Sequence, residues 1–230
     1  MRRWTEICAG VVAGLVPAGV GGALGAVAGG RSGLVAGLAI GGVSGAAFGW
    51  AVASFVPYDL ASVRGIARYV VDLTWSLPNT WLGGVLLTGN LLAGNRLVAD
   101  LSRHGGTLHL ARGTLPAMGG VRYVTTVGTV VAGISAVPTD SPGALALLAH
   151  ERGHVLQARL FGPAYVPLVL ANYAVAVVLP FWWFWHDHAS YPIRSVAAYL
   201  QHGVYPHVWN EEWCYRAYGP HRWHRTWRRR

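Results

Sequence analysis

The sequence predicts a mainly helical α+β protein, in which an N-terminal transmembrane hairpin precedes a domain with a small sheet. The chain of 230 residues is 53% hydrophobic and only 12% charged, and it contains 31 glycines. A soluble globular domain carries about 25% charged residues. Two long apolar runs come first, and turn residues then divide the remainder into helical and β-rich segments. This composition favours a membrane protein over a soluble one.

Residues 7–56 form the predicted hairpin, and Arg31 is the one charged residue among them. The runs 7–27 and 34–56 are each long enough to cross a bilayer, which takes about 20 apolar residues. Glycine recurs at every fourth position, at Gly21, Gly25, Gly29, Gly33, Gly37, Gly41, Gly45 and Gly49. This spacing lets helix backbones pack closely in lipid. We therefore expect two packed transmembrane helices in a first domain, 1–58, whose glycine faces also permit self-association. A cleaved signal peptide is the alternative.

Basic residues indicate the side of the membrane on which the rest of the chain lies. Arg2 and Arg3 precede the first run, and Arg64 and Arg68 follow the second. Because arginine and lysine accumulate on the cytoplasmic side, both flanks are predicted to be cytoplasmic. The two cysteines lie far apart in the chain and are predicted to be free thiols, which agrees with a reducing compartment.

The next part of the chain predicts a few helices and short strands in order. Residues 69–92 read as a helix, a turn and a second helix, because Ser, Pro and Asn interrupt an apolar pattern. Residues 107–110 predict a short strand, and the Val- and Thr-rich stretch 121–134 predicts one or two more. Asp140 or Ser141 can then cap a following helix.

That helix carries the most informative segment of the chain, the H-E-x-x-H pattern His150-Glu151-Arg152-Gly153-His154. Residues four apart lie on one helix face, so both imidazoles can bind a single metal ion. Glu151 lies beside that ion, where it can act as a general base on a metal-bound water. Apolar residues flank the pattern on both sides, so we expect a largely buried helix. Arg152 must face water or pair with an acid. A surface helix with two spare histidines is the alternative.

A catalytic zinc site needs a third protein ligand and one open position. The downstream candidates are Glu211, Glu212, His186, His188, His202 and His207. A third histidine at metzincin spacing is absent from the sequence, since Leu160 stands at that position. A glutamate from a second helix is therefore the predicted ligand, as in a gluzincin-like site.

The segment 150–163, HERGHVLQARLFGP, resembles a group of bacterial H-E-x-G-H proteins whose motif helix continues through a Gln into a Gly-Pro turn. That group later carries a Glu-x-Trp segment, and residues 210–215, NEEWCY, look like it. The resemblance extends over roughly 69–219 and implies a zinc-metallopeptidase-like domain. It also implies that Glu211, and not Glu212, is the third ligand.

We expect the zincin-like domain to span 59–219, and the resemblance shows one departure within it. Tyr215 stands where the group often has an Asp, whose carboxylate would orient a ligand histidine. Asp187, His188 or His207 could take that role.

Two further segments bear on the membrane. Residues 164–185 are apolar and long enough to cross a bilayer, but a full crossing would separate the two histidines from Glu211. The segment is therefore either an interfacial helix, with its aromatic cluster at headgroup level, or a core helix of the domain. The Arg- and Trp-rich tail 220–230 is predicted to contact anionic lipid, with a solvated end as the alternative. Nucleic acid is not expected, because no nucleic-acid-binding motif accompanies the tail.

Together these features predict an integral membrane zinc metallopeptidase with a cytoplasmic site. His150, His154 and Glu211 would bind Zn²⁺, and Glu151 would be the catalytic base. The expected partners are a peptide or protein substrate and membrane lipid. Two alternatives remain open: a bacterial toxin or effector with a metallopeptidase-like domain, and a catalytically silent membrane protein that binds or scaffolds.

Overall fold

The computed structural model describes residues 2–113, 124–134 and 141–218, so the basic tail lies outside the described residues. The described chain is mainly helical with one small mixed sheet, as the sequence predicts. The helices are α1 (Arg2–Phe55), α2 (Val63–Leu73), α3 (Leu77–Leu92), α4 (Ala99–Ser102), α5 (Pro142–Phe161), α6 (Tyr165–Val178), α7 (Val196–Ala198), α8 (Tyr205–His207) and α9 (Trp209–Tyr218). The strands are β1 (Leu108–Leu110), β2 (Thr125–Val127) and β3 (Val130–Ala132).

Helix α1 consists of two antiparallel halves that reverse direction at Gly29 and Gly30. Gly30 has a φ of 57°, a conformation that favours glycine. The two halves touch through their backbones: a Cβ added at Gly37 would overlap the carbonyl of Gly21. The pairs in such contact are Gly25–Gly33, Gly21–Gly37, Gly14–Gly45 and Gly10–Gly49. The glycine spacing therefore permits the close packing of the hairpin.

Two helical stretches, Arg3–Phe55 and Pro142–Val178, are long and apolar enough to cross a membrane, judged by length and composition. The second stretch comprises α5 and α6, and it turns at Gly162, whose φ is 53°. The predicted apolar segment 164–185 is not one continuous helix, because α6 ends at Val178 and the chain continues into a short turn. Pro180 supplies no backbone N–H to continue α6.

Helices α2 and α3 form the predicted helix–turn–helix, and α3 lies between the hairpin and the sheet. Two adjacent glycines make this possible. A Cβ at Gly84 would lie 3.3 Å from the carbonyl oxygen of Ser44 in α1, and a Cβ at Gly83 would lie 2.6 Å from that of Val127 in β2. The buried core here contains Phe48, Leu87, Leu108, Leu110 and Val130. Burial of these apolar side chains joins the hairpin to the sheet.

The sheet has the strand order β1-β3-β2, with β1 parallel and β2 antiparallel to β3. His109, Val131 and Thr126 lie side by side across the three strands. Residues in such a row project from the same face of a sheet. Val131 packs against Leu148 and Val155 of α5, so this face supports the helix that carries the H-E-x-x-H pattern.

Helix α5 begins where the sequence predicts it. The Ser141 side chain accepts a hydrogen bond of 3.2 Å from the backbone N–H of Ala144, and Asp140 lies outside the described residues. The expectation of a largely buried helix is only half right. Leu145, Leu156 and Leu160 are exposed on its outer face, because the sheet and α9 cover only the other side.

Candidate metal centre

Two helices bring the predicted ligands together. His150 and His154 occupy successive turns of α5, and Glu211 lies in the first turn of α9. Gly153 lets these helices approach closely, because a Cβ there would lie only 2.7 Å from the Sγ of Cys214. The glycine within the H-E-R-G-H pattern is therefore required for packing, whereas the two histidines supply the possible donor atoms.

The three side chains form a compact buried group that could hold a metal ion. The Nε2 atoms of His150 and His154 are 3.1 Å apart. The two oxygens of Glu211 lie 3.2 Å from Nε2 of His150 and 3.4 Å from Nε2 of His154. Donor atoms arranged tetrahedrally at about 2.0–2.1 Å from a metal are separated by about 3.3 Å. The spacing thus fits one ion bound by all three residues.

Glu211 remains ionised in this group despite its burial. Burial alone would raise the pKa of its carboxyl group, but hydrogen bonds and charge interactions with His150 and His154 lower the pKa to about 2. A buried carboxylate needs a cation or several donors as partners. The site therefore supplies one negative charge and two imidazole nitrogens to an ion.

The adjacent Glu212 does not reach this group. Its side chain forms an ion pair with Arg216 one turn later on the outer surface of α9. Adjacent residues of a helix point about 100° apart, so only one of the two glutamates can face α5.

Glu151 lies next to the metal group but is held by the sheet. Its Oε2 accepts a hydrogen bond of 2.6 Å from the hydroxyl of Thr126 in β2, and the side chain is buried. No spacing in the sequence links Thr126 with Glu151, so the sequence did not indicate this contact. Thr126 therefore orients one oxygen of the buried Glu151 carboxylate.

Gln157 orients His154. The Nδ1 of His154 lies 3.1 Å from Oε1 of Gln157, and Nε2 of Gln157 donates to the backbone oxygen of Asn210 at 2.9 Å. The hydroxyl of Tyr165 also donates to that Oε1, at 3.2 Å. This network assigns the proton of His154 to Nδ1, which leaves the lone pair of Nε2 for a metal. Gln157 lies three residues after His154 on the same helix, a spacing that could have indicated the contact.

The residues expected to replace the missing Asp lie elsewhere. Asp187 accepts hydrogen bonds from the backbone N–H groups of Ala189 and Ser190. The rings of His188 and His207 form hydrogen bonds with the backbone oxygens of Trp183 and Gly203, respectively. That expectation is wrong, because Gln157 already occupies the position beside Nδ1 of His154. At the predicted Asp position, the ring of Tyr215 packs against that of His150, with 4.6 Å between centroids.

No protein family, curated protein or solved structure matches this chain. The resemblance to H-E-x-G-H proteins therefore stays a prediction. What defines the site is its own composition: a buried group of two imidazoles and one carboxylate that could hold a metal ion, with a second buried carboxylate beside it.

Proposed function

We propose that this protein is a membrane-anchored, zinc-dependent hydrolase of peptide bonds. The observation that carries the proposal is the buried group His150, His154 and Glu211, with donor atoms 3.1–3.4 Å apart, next to the non-ligand carboxylate of Glu151. Two histidines and one glutamate are the ligands of one class of catalytic zinc site, which keeps a fourth position open.

The donor set suits zinc better than the hard cations. Calcium and magnesium prefer six or more oxygen ligands, whereas imidazole nitrogen is a preferred ligand of zinc. When bound by these residues, zinc supplies a coordinated water whose pKa is about 7, so that a nucleophile exists near neutral pH. His150, His154 and Glu211 hold the ion, and Gln157 keeps the His154 ring in the required tautomer.

Glu151 moves the proton in the proposed reaction. Thr126 fixes one of its oxygens by a hydrogen bond of 2.6 Å. The carboxylate takes a proton from the attacking water and passes it to the leaving amine, which must be protonated before the C–N bond breaks. A positioned carboxylate of this kind contributes about 10²–10⁴ to the rate.

The sheet favours a peptide as substrate. β2 pairs with β3 on one side only, and its other edge has no strand partner among the described residues. An extended peptide can add to such an edge through backbone hydrogen bonds. Because Thr126 lies on β2 and contacts Glu151, a peptide bound along β2 would lie close to the carboxylate of Glu151.

Zinc content and peptide cleavage test the proposal together. The His154→Ala variant removes a ligand and should lose both zinc and cleavage. The Glu151→Gln variant should keep the metal but cleave at least about 100-fold more slowly, because only the base is lost. Glu212→Gln is the matched control and should retain both properties. Zinc is measured by mass spectrometry of the purified full-length protein, and cleavage with a peptide library.

Absence of zinc from the native protein, or undiminished cleavage by Glu151→Gln, would contradict the proposal.

Membrane anchoring has its own test, in a background with Cys8 and Cys214 replaced by serine. Ser32→Cys, in the reversal of α1, should react with an impermeant maleimide in intact cells, whereas Arg152→Cys should react only after lysis. Labelling of Arg152→Cys in intact cells would contradict the cytoplasmic placement.

A further inference from the structure

Arg68 and Arg152 converge at one turn of the molecule, Gly105-Gly106, and Arg64 precedes Arg68 on α2. Arg64 and Arg68 lie one turn apart on α2, and Arg152 is exposed on α5. A Cβ at Gly106 would lie 3.2 Å from Nη1 of Arg68, and a Cβ at Gly105 would lie 3.5 Å from Nη2 of Arg152. Within the described part of the chain, none of the three guanidinium groups forms an ion pair.

The nearest carboxylate is already occupied. Asp72 accepts two hydrogen bonds from a fourth arginine, Arg159, at 2.8 and 2.7 Å, and it is fully buried. Among these five side chains, four guanidinium groups are balanced by one carboxylate, which leaves an excess of three positive charges. Burial and the positive charges of Arg64, Arg159 and Arg152 lower the pKa of Arg68. An anion placed here would relieve this repulsion.

The cluster lies at the base of the apolar hairpin. The backbone N–H of Gly106 donates to the carbonyl of Pro57 at 2.7 Å, two residues after the end of α1. The hydroxyl of Tyr69 donates to the carbonyl of Ala9 in the other half of the hairpin, at 2.7 Å. Both halves of α1 thus meet α2 at the same end. If the hairpin crosses a bilayer, this end lies at the level of the lipid headgroups.

Helix α2 exposes an apolar stripe across the helix from the arginines. Val63, Ile66 and Val70 are 86%, 47% and 49% exposed, although they are large aliphatic residues. At 100° per residue, the stripe is centred roughly 150° from Arg64 and Arg68, whereas the buried Asp72 lies about 60° from them. A helix of this kind lies in the membrane interface, with its apolar side towards the acyl chains and its arginines near the phosphates.

We propose that Arg64, Arg68 and Arg152 bind the phosphodiester of an anionic phospholipid whose acyl chains cover the apolar stripe of α2. Guanidinium groups bind phosphate oxygens through paired, charge-assisted hydrogen bonds. The apolar stripe selects a lipid over free phosphate, since free phosphate cannot cover it. This site is separate from peptide hydrolysis, so loss of the metal leaves lipid binding in place.

Thermal stabilisation by short-chain lipids tests the site on the full-length protein in detergent. Dioctanoyl-phosphatidylglycerol should raise the unfolding midpoint in a saturable manner, whereas dioctanoyl-phosphatidylcholine and inorganic phosphate should not. The R64Q/R68Q variant should bind phosphatidylglycerol about 30-fold more weakly, because each arginine near an anionic lipid contributes about five-fold. The R96Q/R194Q variant loses the same charge at two other exposed positions and should bind as the native protein does.

Equal affinity of R64Q/R68Q and the native protein for phosphatidylglycerol would overturn the proposal. Equal stabilisation by inorganic phosphate would also overturn it, since the site would then recognise a free anion. Equal stabilisation by phosphatidylcholine would show that charge plays no part. Unfolding midpoints of the ligand-free variants are compared first, so that weaker binding is not confused with failure to fold.

Discussion

In the hairpin, Gly21 and Gly37 face each other with their backbones in contact. Between α5 and α9, by contrast, the polar side chain of Gln157 fills the space and forms hydrogen bonds with His154, Asn210 and Tyr165. The hairpin packs because side chains are absent, and van der Waals contact between backbones holds it together. The metal-site region packs because particular polar atoms are present. An added carbon should therefore destabilise the hairpin, whereas the loss of a polar atom should disturb the metal-site region.

The polar contacts extend from the metal site towards the hairpin. Asn79 donates from Nδ2 to the carbonyl of Gly162 at 2.7 Å, and Ser76 donates to that of Ala158 at 3.0 Å. These bonds attach the end of α5 to α3, which in turn packs on α1. Buried hydrogen bonds to backbone carbonyls specify one docking geometry, because any shift leaves polar atoms without partners.

The largest effect is expected at the buried ion pair between Asp72 and Arg159. Replacing Asp72 by Asn removes the charge that neutralises a guanidinium whose side chain is only 12% exposed. We expect about 3–5 kcal/mol of destabilisation, because a buried charge is left uncompensated. Denaturant unfolding of the full chain in detergent measures it. Asp100→Asn, at an exposed site on α4, should change stability by less than about 0.5 kcal/mol. Similar losses in both variants would show that the buried ion pair contributes no more than an exposed carboxylate.

The second prediction is a pH dependence of stability that arises outside the hairpin. Burial, followed by the positive charge of Arg152, lowers the pKa of His109 to about 4. At His109 the unfolded chain therefore binds more protons between about pH 4 and 6.5, so the contribution of this residue to stability is complete above pH 6.5 and is lost as the pH falls towards 4. The loss should be about 3 kcal/mol, and His109→Gln should reduce it.

Denaturant midpoints between pH 7.5 and 4.5 provide the measurement. His188→Gln, at an exposed position, should keep the pH dependence of the native protein. The hairpin segment 7–56 contains no histidine, so histidine titration within it does not contribute to this loss of stability. An unchanged pH profile in His109→Gln would disprove the assignment.

In the hairpin the addition of a single carbon should destabilise. Gly37→Ala places a methyl group into the backbone of Gly21, and the helices must separate. We expect about 2 kcal/mol of destabilisation, the usual cost of overpacking. Gly42→Ala meets no atom within 4 Å and should be neutral or slightly stabilising, since alanine favours helix. Equal behaviour of the two variants in detergent unfolding would show that the backbone contact is not required.

The smallest effect is expected on metal affinity through Gln157. Gln157→Leu keeps the side-chain volume but removes the amide that contacts Nδ1 of His154 and the carbonyl of Asn210, and leaves Nδ1 only the Sγ of Cys214 at 3.6 Å. Zinc should bind about ten-fold more weakly, as is usual when a group that orients a ligand is lost. Tyr165→Phe removes only one donor to Gln157 and should cost less. Competition with a fluorescent chelator measures both. A larger effect of Tyr165→Phe would assign the orienting role to Tyr165.

The sequence predicts the features that depend on neighbouring residues better than those that depend on distant contacts. Local patterns predict the helix–turn–helix, the short strand at 107–110 and the Ser141 cap, because propensity and capping act within a few residues. The partners of Glu151 and His154 were missed. Thr126 is 25 residues away from Glu151 in the chain, and the strand register places it there. The parallel pairing of β1 with β3 also depends on long-range packing.

By itself, the sequence determined the positions at which helices can touch and the residue types that can bind a metal. Glycine at every fourth position and histidines four apart act through the pitch of a helix, which is a local property. The resemblance in sequence already favoured Glu211 over Glu212, but only the tertiary structure places Glu211 against the histidines and Gln157 beside His154. Those choices depend on how α9 is rotated against α5, and close packing at Gly153 sets that rotation.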